Sequence, residues 1–174
     1  PRSMDRDRAY LGRARIALLR DDPGKALDFL QRVKDETPYS GKCADADLLI
    51  AGILSAREDH DAALVVLTGL LADKSISSLS KAEALFRSAE ILSEKGDKLK
   101  ATAYYERVYV VYGKFRGMVA KSYLRRGELL EALGRSGEAA EVYRALLQRE
   151  DLDGMPERGQ ARRHLAELKE DSDA

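Results

Sequence analysis

Small residues recur in phase along this chain, with a spacing of 37 to 38 residues. Four alanines occupy equivalent positions, and a second small residue precedes each of them by twelve positions. A large apolar residue follows each alanine after four positions, and another follows after seven. The four columns are Ala26, Ala63, Ala101 and Ala139; Ala14, Ala51, Ala89 and Gly127; Leu30, Leu67, Tyr105 and Tyr143; and Val33, Leu70, Val108 and Leu146. A fixed period of this length indicates a repeat array in which neighbouring units share one core.

Composition agrees with an array of two-faced helices. Of the 174 residues, 44% are apolar and 34% are charged. Such a mixture is typical of helices with one buried and one solvated side. Lysine plus arginine and aspartate plus glutamate number 30 each, so the net charge is zero. A dedicated nucleic-acid binder usually carries a clear basic excess, and we therefore expect no nucleic-acid partner.

Helical periodicity and capping residues predict nine helices. Asp22 is a favourable N-cap, and Pro23 suits the first turn because its missing N–H has no helical partner there. Ser80 and Glu83 match a capping box. The segment 108–112 has β-prone composition but continues a helical register, so we interpret it as helix. The predicted helices cover about 5–21, 23–35, 41–57, 61–72, 81–95, 98–112, 117–133, 137–149 and 157–169.

The order of bulky and small residues resembles the tetratricopeptide repeat family. The clearest copy is the fourth, with Tyr123, Gly127, Leu130, Gly134, Ala139 and Tyr143. The resemblance covers roughly residues 7–151 and is weakest in the second copy, where Asp47 replaces a bulky apolar residue. The common repeat has about 34 residues, whereas these units have 37–38. In this respect they resemble the repeats of bacterial envelope-associated proteins.

The resemblance implies an all-α fold, a right-handed α–α superhelix of four helix pairs with a C-terminal capping helix. We expect a single domain over residues 1–174, with the capping helix at about 157–169. The expected repeats are about 7–43, 44–81, 82–119 and 120–157. The alternative is an ordinary α-bundle whose alanines align by chance.

In this family the first helix of each pair lines a concave binding groove. By position, a first row would consist of Leu11, Leu48, Phe86 and Leu124, and a second row of Arg15, Gly52, Glu90 and Glu128. An apolar row with charges beside it suits an extended peptide or an amphipathic helix. The alternative is that the leucines of the first row pack against the facing helices.

No arrangement of residues indicates catalysis. His60 and His164 belong to no metal-ligand pattern, and Cys43 has no C-x-x-C partner. The pair Glu90 and Glu94 is spaced to share one helix face, which suits acid–base chemistry or calcium but is also typical of a solvated acidic stripe. We therefore predict no catalytic residue, no cofactor and no metal.

The sequence favours a non-enzymatic scaffold that binds a protein or peptide partner, within a larger bacterial protein. One alternative is a structural spacer or a homodimer formed through the tyrosine-rich C-terminal half. Another, less favoured, is an enzyme or small-molecule binder that uses Glu90, Glu94 and Glu128.

The sequence is compatible with more than one cellular compartment. No apolar run approaches the length of about 18 residues that a membrane span requires, and the first residues lack an apolar signal segment. The start of the chain indicates a fragment of a longer protein. The resemblance favours a periplasmic or envelope-associated location, with the cytoplasm as the alternative.

Overall fold

The chain folds into helices joined by short turns, as predicted. The computed structural model describes residues 2–36, 38 and 41–173, with side chains in 5–36, 38 and 41–169. No strand occurs among these residues, so the fold is all-α. The helices are α1 (Arg2–Leu19), α2 (Pro23–Glu36), α3 (Cys43–Ala56), α4 (His60–Ala72), α5 (Ser78–Glu94), α6 (Lys98–Val111), α7 (Arg116–Glu131), α8 (Ser136–Gln148) and α9 (Pro156–Asp173), with a 3₁₀ turn at Glu150–Leu152.

Helix starts follow the same period as the core columns. The side chain of Asp22 accepts a hydrogen bond from the Lys25 amide at 3.0 Å, and α2 begins with Pro23, as predicted. Asp59 caps α4 and Asp97 caps α6 in the same way, and each accepts a hydrogen bond from the amide three positions later at 3.3 Å. These aspartates satisfy amides of the first turn that have no partner within the helix.

In each copy, the residue two positions before the second helix of the pair has a left-handed backbone conformation. Its φ is 56° at Asp21, 63° at Glu58, 84° at Gly96 and 73° at Gly134. Glycine adopts this conformation without strain, whereas aspartate and glutamate do so at a cost. The reversal between the two helices of a pair therefore has one conformation in all four copies.

The predicted capping box at Ser80 and Glu83 is wrong. Helix α5 begins earlier, at Ser78, and the cap is Ser77. The Ser77 Oγ accepts a hydrogen bond from the Ser80 amide at 3.0 Å, so the first-turn amide is already satisfied. Ser80 lies inside the helix, with its hydroxyl 2.9 Å from that of Ser77.

All four columns of the repeat are buried. None of their fifteen side chains is more than 4% exposed, and Gly127 is buried with them. Equal burial at equal spacing is what an array requires. It is not expected of a bundle in which the alanines align by chance.

The chain divides into two compact units, residues 1–84 and 85–174. In the first unit α1 packs on α2, α2 on α3 and α3 on α4. In the second, α6 packs on α7 and α7 on α8, and α9 contacts both α7 and α8. The buried Ala161 and the flanking Leu165 and Leu168 join α9 to the core of this unit. The prediction of a single domain over residues 1–174 stays a prediction.

Helices α7 and α8 approach each other closely at Gly127. A Cβ placed on Gly127 would overlap the ring of Tyr143, which is fully buried. The Tyr143 hydroxyl donates a hydrogen bond to the Glu131 carboxylate, which fixes the ring where it lies. Only glycine fits at this position of the small-residue column.

We predict that Gly127→Ala destabilises the protein by about 1–3 kcal/mol, because the added methyl group forces the Tyr143 ring out of its packed position. Gly12→Ala is the matched control, since a Cβ there meets no atom within 4 Å. This control should be neutral or stabilising by up to about 1 kcal/mol through better helix propensity. Urea unfolding measures both. Equal stability of Gly127→Ala and the parent chain would contradict the packing described.

Candidate protein-interaction cleft

Repeat register places two carboxylates in equivalent positions of the second unit. Glu90 on α5 and Glu128 on α7 are 38 residues apart, which is one period. Glu94 follows Glu90 by four positions, so both side chains project from the same face of α5. Three acidic residues proposed from the sequence as a possible group therefore lie around one surface depression.

This depression is a shallow cleft of about 240 Å³. Helix α5 contributes three lining residues, α6 one and α7 three. The buried Tyr105 on α6 forms the floor. The lining residues are Glu90, Ser93, Glu94, Tyr105, Arg125, Glu128 and Leu129.

Three carboxylates and one guanidinium give the cleft an acidic character. Arg125 Nη1 lies 2.8 Å from a Glu128 carboxylate oxygen, three positions along the same helix. This ion pair raises the pKa of Arg125, chiefly through the hydrogen bond. The positive charges of Arg87, Arg125 and Lys121 interact favourably with the Glu90 carboxylate.

Partial desolvation raises the pKa of the Glu90 carboxyl. The nearby Arg87 opposes the rise, while the negative charge of Glu94 adds to it. Burial likewise raises the pKa of the Tyr105 hydroxyl, and the Glu90 carboxylate adds to that effect. Tyr105 is therefore a neutral phenol at physiological pH, and the carboxylates carry the negative charge of the site.

A second polar cluster adjoins the cleft along α7. The His164 Nδ1 lies 3.1 Å from a Glu131 oxygen, and its Nε2 lies 4.0 Å from Glu128. The His164 ring stacks on Tyr143 with 5.1 Å between centroids. His164 therefore packs against Tyr143 and lies beside the carboxylates of α7.

The predicted apolar row lies mainly in the core. Leu11, Leu48 and Leu124 are 4%, 5% and 5% exposed. Phe86 is half-buried and meets the Tyr105 ring edge-on, with 5.5 Å between centroids. The three leucines are thus core residues, as the alternative interpretation expected. Phe86 is the residue of this row that lies next to the cleft.

The second predicted row is more accessible. Arg15 and Glu90 are exposed, and Gly52 and Glu128 are half-buried. Arg15 and Gly52 belong to the first unit and are not part of the cleft in the second. The assignment of these residues to a binding groove stays a prediction.

Sequence reasoning missed Arg125, Ser93 and Leu129 as lining residues. The spacing of Arg125 and Glu128 was a usable signal, because residues three apart on a helix are neighbours. Ser93 and Leu129 gave no signal, since their exposure depends on how α5, α6 and α7 pack.

The tyrosines of the C-terminal half lie largely inside. The Tyr109 and Tyr123 rings stack at 3.8 Å between centroids, and each residue is 9% exposed. Arg126 donates a hydrogen bond to the Tyr109 hydroxyl at 2.5 Å. Burial raises the pKa of Tyr109 to about 12. This pair therefore stabilises the unit and offers little aromatic surface to a partner.

The described part of the chain shows neither a metal-binding cluster nor a membrane-spanning helix. No group of three or more His, Cys, Asp and Glu side chains there has the geometry to hold a metal ion. None of the described helices combines the length and the apolar character that crossing a bilayer requires.

Comparison with known families decides the nature of the array. Family models described as "Tetratricopeptide repeat" match residues 118–169 and residues 82–109. The chain carries tetratricopeptide repeats. Such repeats generally form non-enzymatic scaffolds that mediate protein interaction. Among curated proteins, none has a sequence that matches this chain.

Solved structures of tetratricopeptide repeat proteins share this fold. One, from Parabacteroides merdae, aligns with a TM-score of 0.73 at 14% identity, over 97% of this chain and 62% of that one. The chain thus spans less than two thirds of that longer protein. MamA from Desulfovibrio magneticus RS-1 aligns with a TM-score of 0.65 at 16% identity, over 95% of this chain and 94% of that one. At these identities the likeness concerns the fold alone.

We predict that Glu94→Gln lowers the pKa of Glu90, because it removes the nearest like charge. When folding raises the pKa of a carboxyl group, ionisation of that group destabilises the folded state. The destabilisation is complete above the folded-state pKa and absent below the unfolded-state pKa. Glu90→Gln should therefore stabilise the protein at pH 7 and leave it unchanged below the unfolded-state pKa of about 4.3. Carboxyl NMR titration and thermal unfolding at both pH values measure these effects. A Glu90 pKa at or below its ordinary value in the parent chain would contradict them.

Proposed function

We propose that this chain is a non-enzymatic scaffold whose second unit binds a protein segment through a basic side chain. The observation that carries the proposal is the convergence of Glu90, Glu94 and Glu128 on one cleft. An arginine or lysine entering there would meet carboxylates already held in place by two helices. Charge-assisted hydrogen bonds of this kind are stronger than neutral ones.

The size of the cleft favours a side chain over a free small molecule. Pockets for drug-sized ligands usually occupy about 300–1,000 Å³ and enclose most of the ligand. This cleft has about 240 Å³ and is open to solvent. An arginine side chain fits such a volume while the rest of its peptide lies outside on the helices.

Apolar surface next to the acids supports recognition of a peptide. Leu129 lines the cleft, and the half-buried Phe86 lies against its tyrosine floor. A partner segment with an apolar residue beside its basic one would contact both kinds of surface. Helix-rich grooves bind extended peptides and amphipathic helices in this manner.

The same geometry supports the absence of an enzymatic role. Tyr105 stays protonated, and Glu128 is ion-paired with Arg125. The cleft contains no cysteine or histidine among its lining residues, and Ser93 is its only aliphatic hydroxyl. General acid–base work requires a positioned group of suitable pKa beside a reacting atom, and a shallow open cleft retains no substrate for it.

We predict that peptides selected from a random phage-displayed library on the intact chain are enriched in arginine or lysine beside an apolar residue. The double variant Glu90→Gln, Glu94→Gln should bind the selected peptides at least about tenfold more weakly, since a loss of about 1.4 kcal/mol has that effect. Fluorescence anisotropy with synthetic copies of these peptides measures the affinities.

Glu141→Gln is the matched control, because Glu141 is an exposed glutamate of the same unit outside the cleft. This control should bind like the parent chain. Absence of basic peptides from the selected set, or equal affinity of the double variant and the parent chain for the basic peptides, would overturn the proposed site.

A further inference from the structure

A second surface, in the first unit, departs from the pattern of the array. One apolar column consists of Ile16, Ile53 and Ile91, again 37 and 38 residues apart. Ile53 is 5% exposed and Ile91 4%, whereas Ile16 is 51% exposed. The same register position is thus part of the core in the second and third copies and open to solvent in the first; in the fourth copy it is the half-buried Leu129 of the cleft.

The first unit itself shows what kind of element packs near this position. Ile53 belongs to a core cluster with Leu30 and Val33 of α2, and α2 packs on α3. The apolar face of α2, which has large side chains three positions apart, thus belongs to the same core as Ile53. Ile16 lies outside this core.

Ile16 lies in a wide depression between α1 and α2. The depression has a volume of about 550 Å³, and Arg13, Arg20, Lys25 and Phe29 line it together with Ile16. The Arg13 guanidinium lies over the Phe29 ring, 5.8 Å from its centroid. The surface thus combines an apolar floor with a basic rim.

The basic charge of this rim is only partly neutralised. Lys25 is paired with Asp22, whose carboxylate lies 2.7 Å from the ammonium group. Arg13 and Arg20 form no ion pair with any described residue and are exposed. Two guanidinium groups therefore face outward beside an exposed isoleucine and favour a partner that is apolar on one side and acidic at its edges.

We propose that this face binds an amphipathic helix of a partner protein, with large apolar residues against Ile16 and Phe29 and acidic residues against Arg13 and Arg20. The occupant is a helix because α2 packs on the helix of the equivalent isoleucine and shares its core, and it is acidic because the rim is basic. The site differs in charge from the cleft around Glu90 and lies in the other unit. The experiment below tests this site independently of the function proposed for that cleft.

The test uses the intact chain and a fluorescein-labelled synthetic peptide whose sequence is based on α2. The peptide keeps the alanine, leucine and valine of α2 that are buried in this structure, at their spacing, and carries glutamate at its remaining exposed positions. A second peptide carries lysine in place of each glutamate. Fluorescence anisotropy measures binding of each peptide.

We expect the glutamate peptide to bind at least tenfold more tightly than the lysine peptide. Ile16→Asp should weaken that binding at least tenfold. The double variant Arg13→Glu, Arg20→Glu should reverse the preference, so that the lysine peptide binds more tightly. Reversal of preference is a result that loss of folding does not produce.

Val65→Asp is the matched control, because Val65 is 72% exposed in the same unit and lies on α4. It should leave the binding of the glutamate peptide unchanged. Three outcomes would overturn the proposal: no binding of the glutamate peptide, equal binding of both peptides, or full binding by Ile16→Asp. Concentration-dependent light scattering supplies a fourth, because self-association that Ile16→Asp abolishes would identify the occupant as a second copy of this chain.

Discussion

The structure depends on the close approach of the two helices in each pair. That approach requires a small residue on the first helix where the second presents a large one, and the column Ala14, Ala51, Ala89 and Gly127 supplies it. At the last of these positions even a methyl group would overlap the facing tyrosine. Because interiors are close-packed, this distance fixes the relative placement of all side chains on the paired helices.

The cleft follows from this constraint. Glu90 and Glu128 occupy one register position in adjacent copies, so the stacking of α5, α6 and α7 brings their carboxylates around the buried Tyr105. The helices are held by their cores and do not separate to relieve the repulsion between like charges. Partial burial of the Glu90 carboxyl in this arrangement is the main cause of its raised pKa, and the negative charge of Glu94 adds to it. A site of this kind gains favourable energy when a cation enters, which is why a basic ligand is its natural complement.

Periodic burial and helix caps made most of the fold predictable from the sequence, because each leaves a local pattern of residue types. The failures have physical causes. Ser77 and Ser80 are equally good caps by composition, and only the path of the preceding loop decides between them. The left-handed conformations of Asp21 and Glu58 are imposed by the helix reversal and have no sequence signal. The burial of Leu11 and Leu124 depends on helix packing angles, which a register alone does not determine.

Zero net charge proved a weak guide to what the surface recognises. The sum is taken over 30 basic and 30 acidic residues, and it conceals how they are distributed. In the second unit three carboxylates surround one cleft, and in the first unit two guanidinium groups flank an exposed isoleucine. Each charged group adjoins apolar surface, where desolvation strengthens its interaction with a partner. The two proposed sites thus carry local charges of opposite sign, while the chain as a whole is neutral.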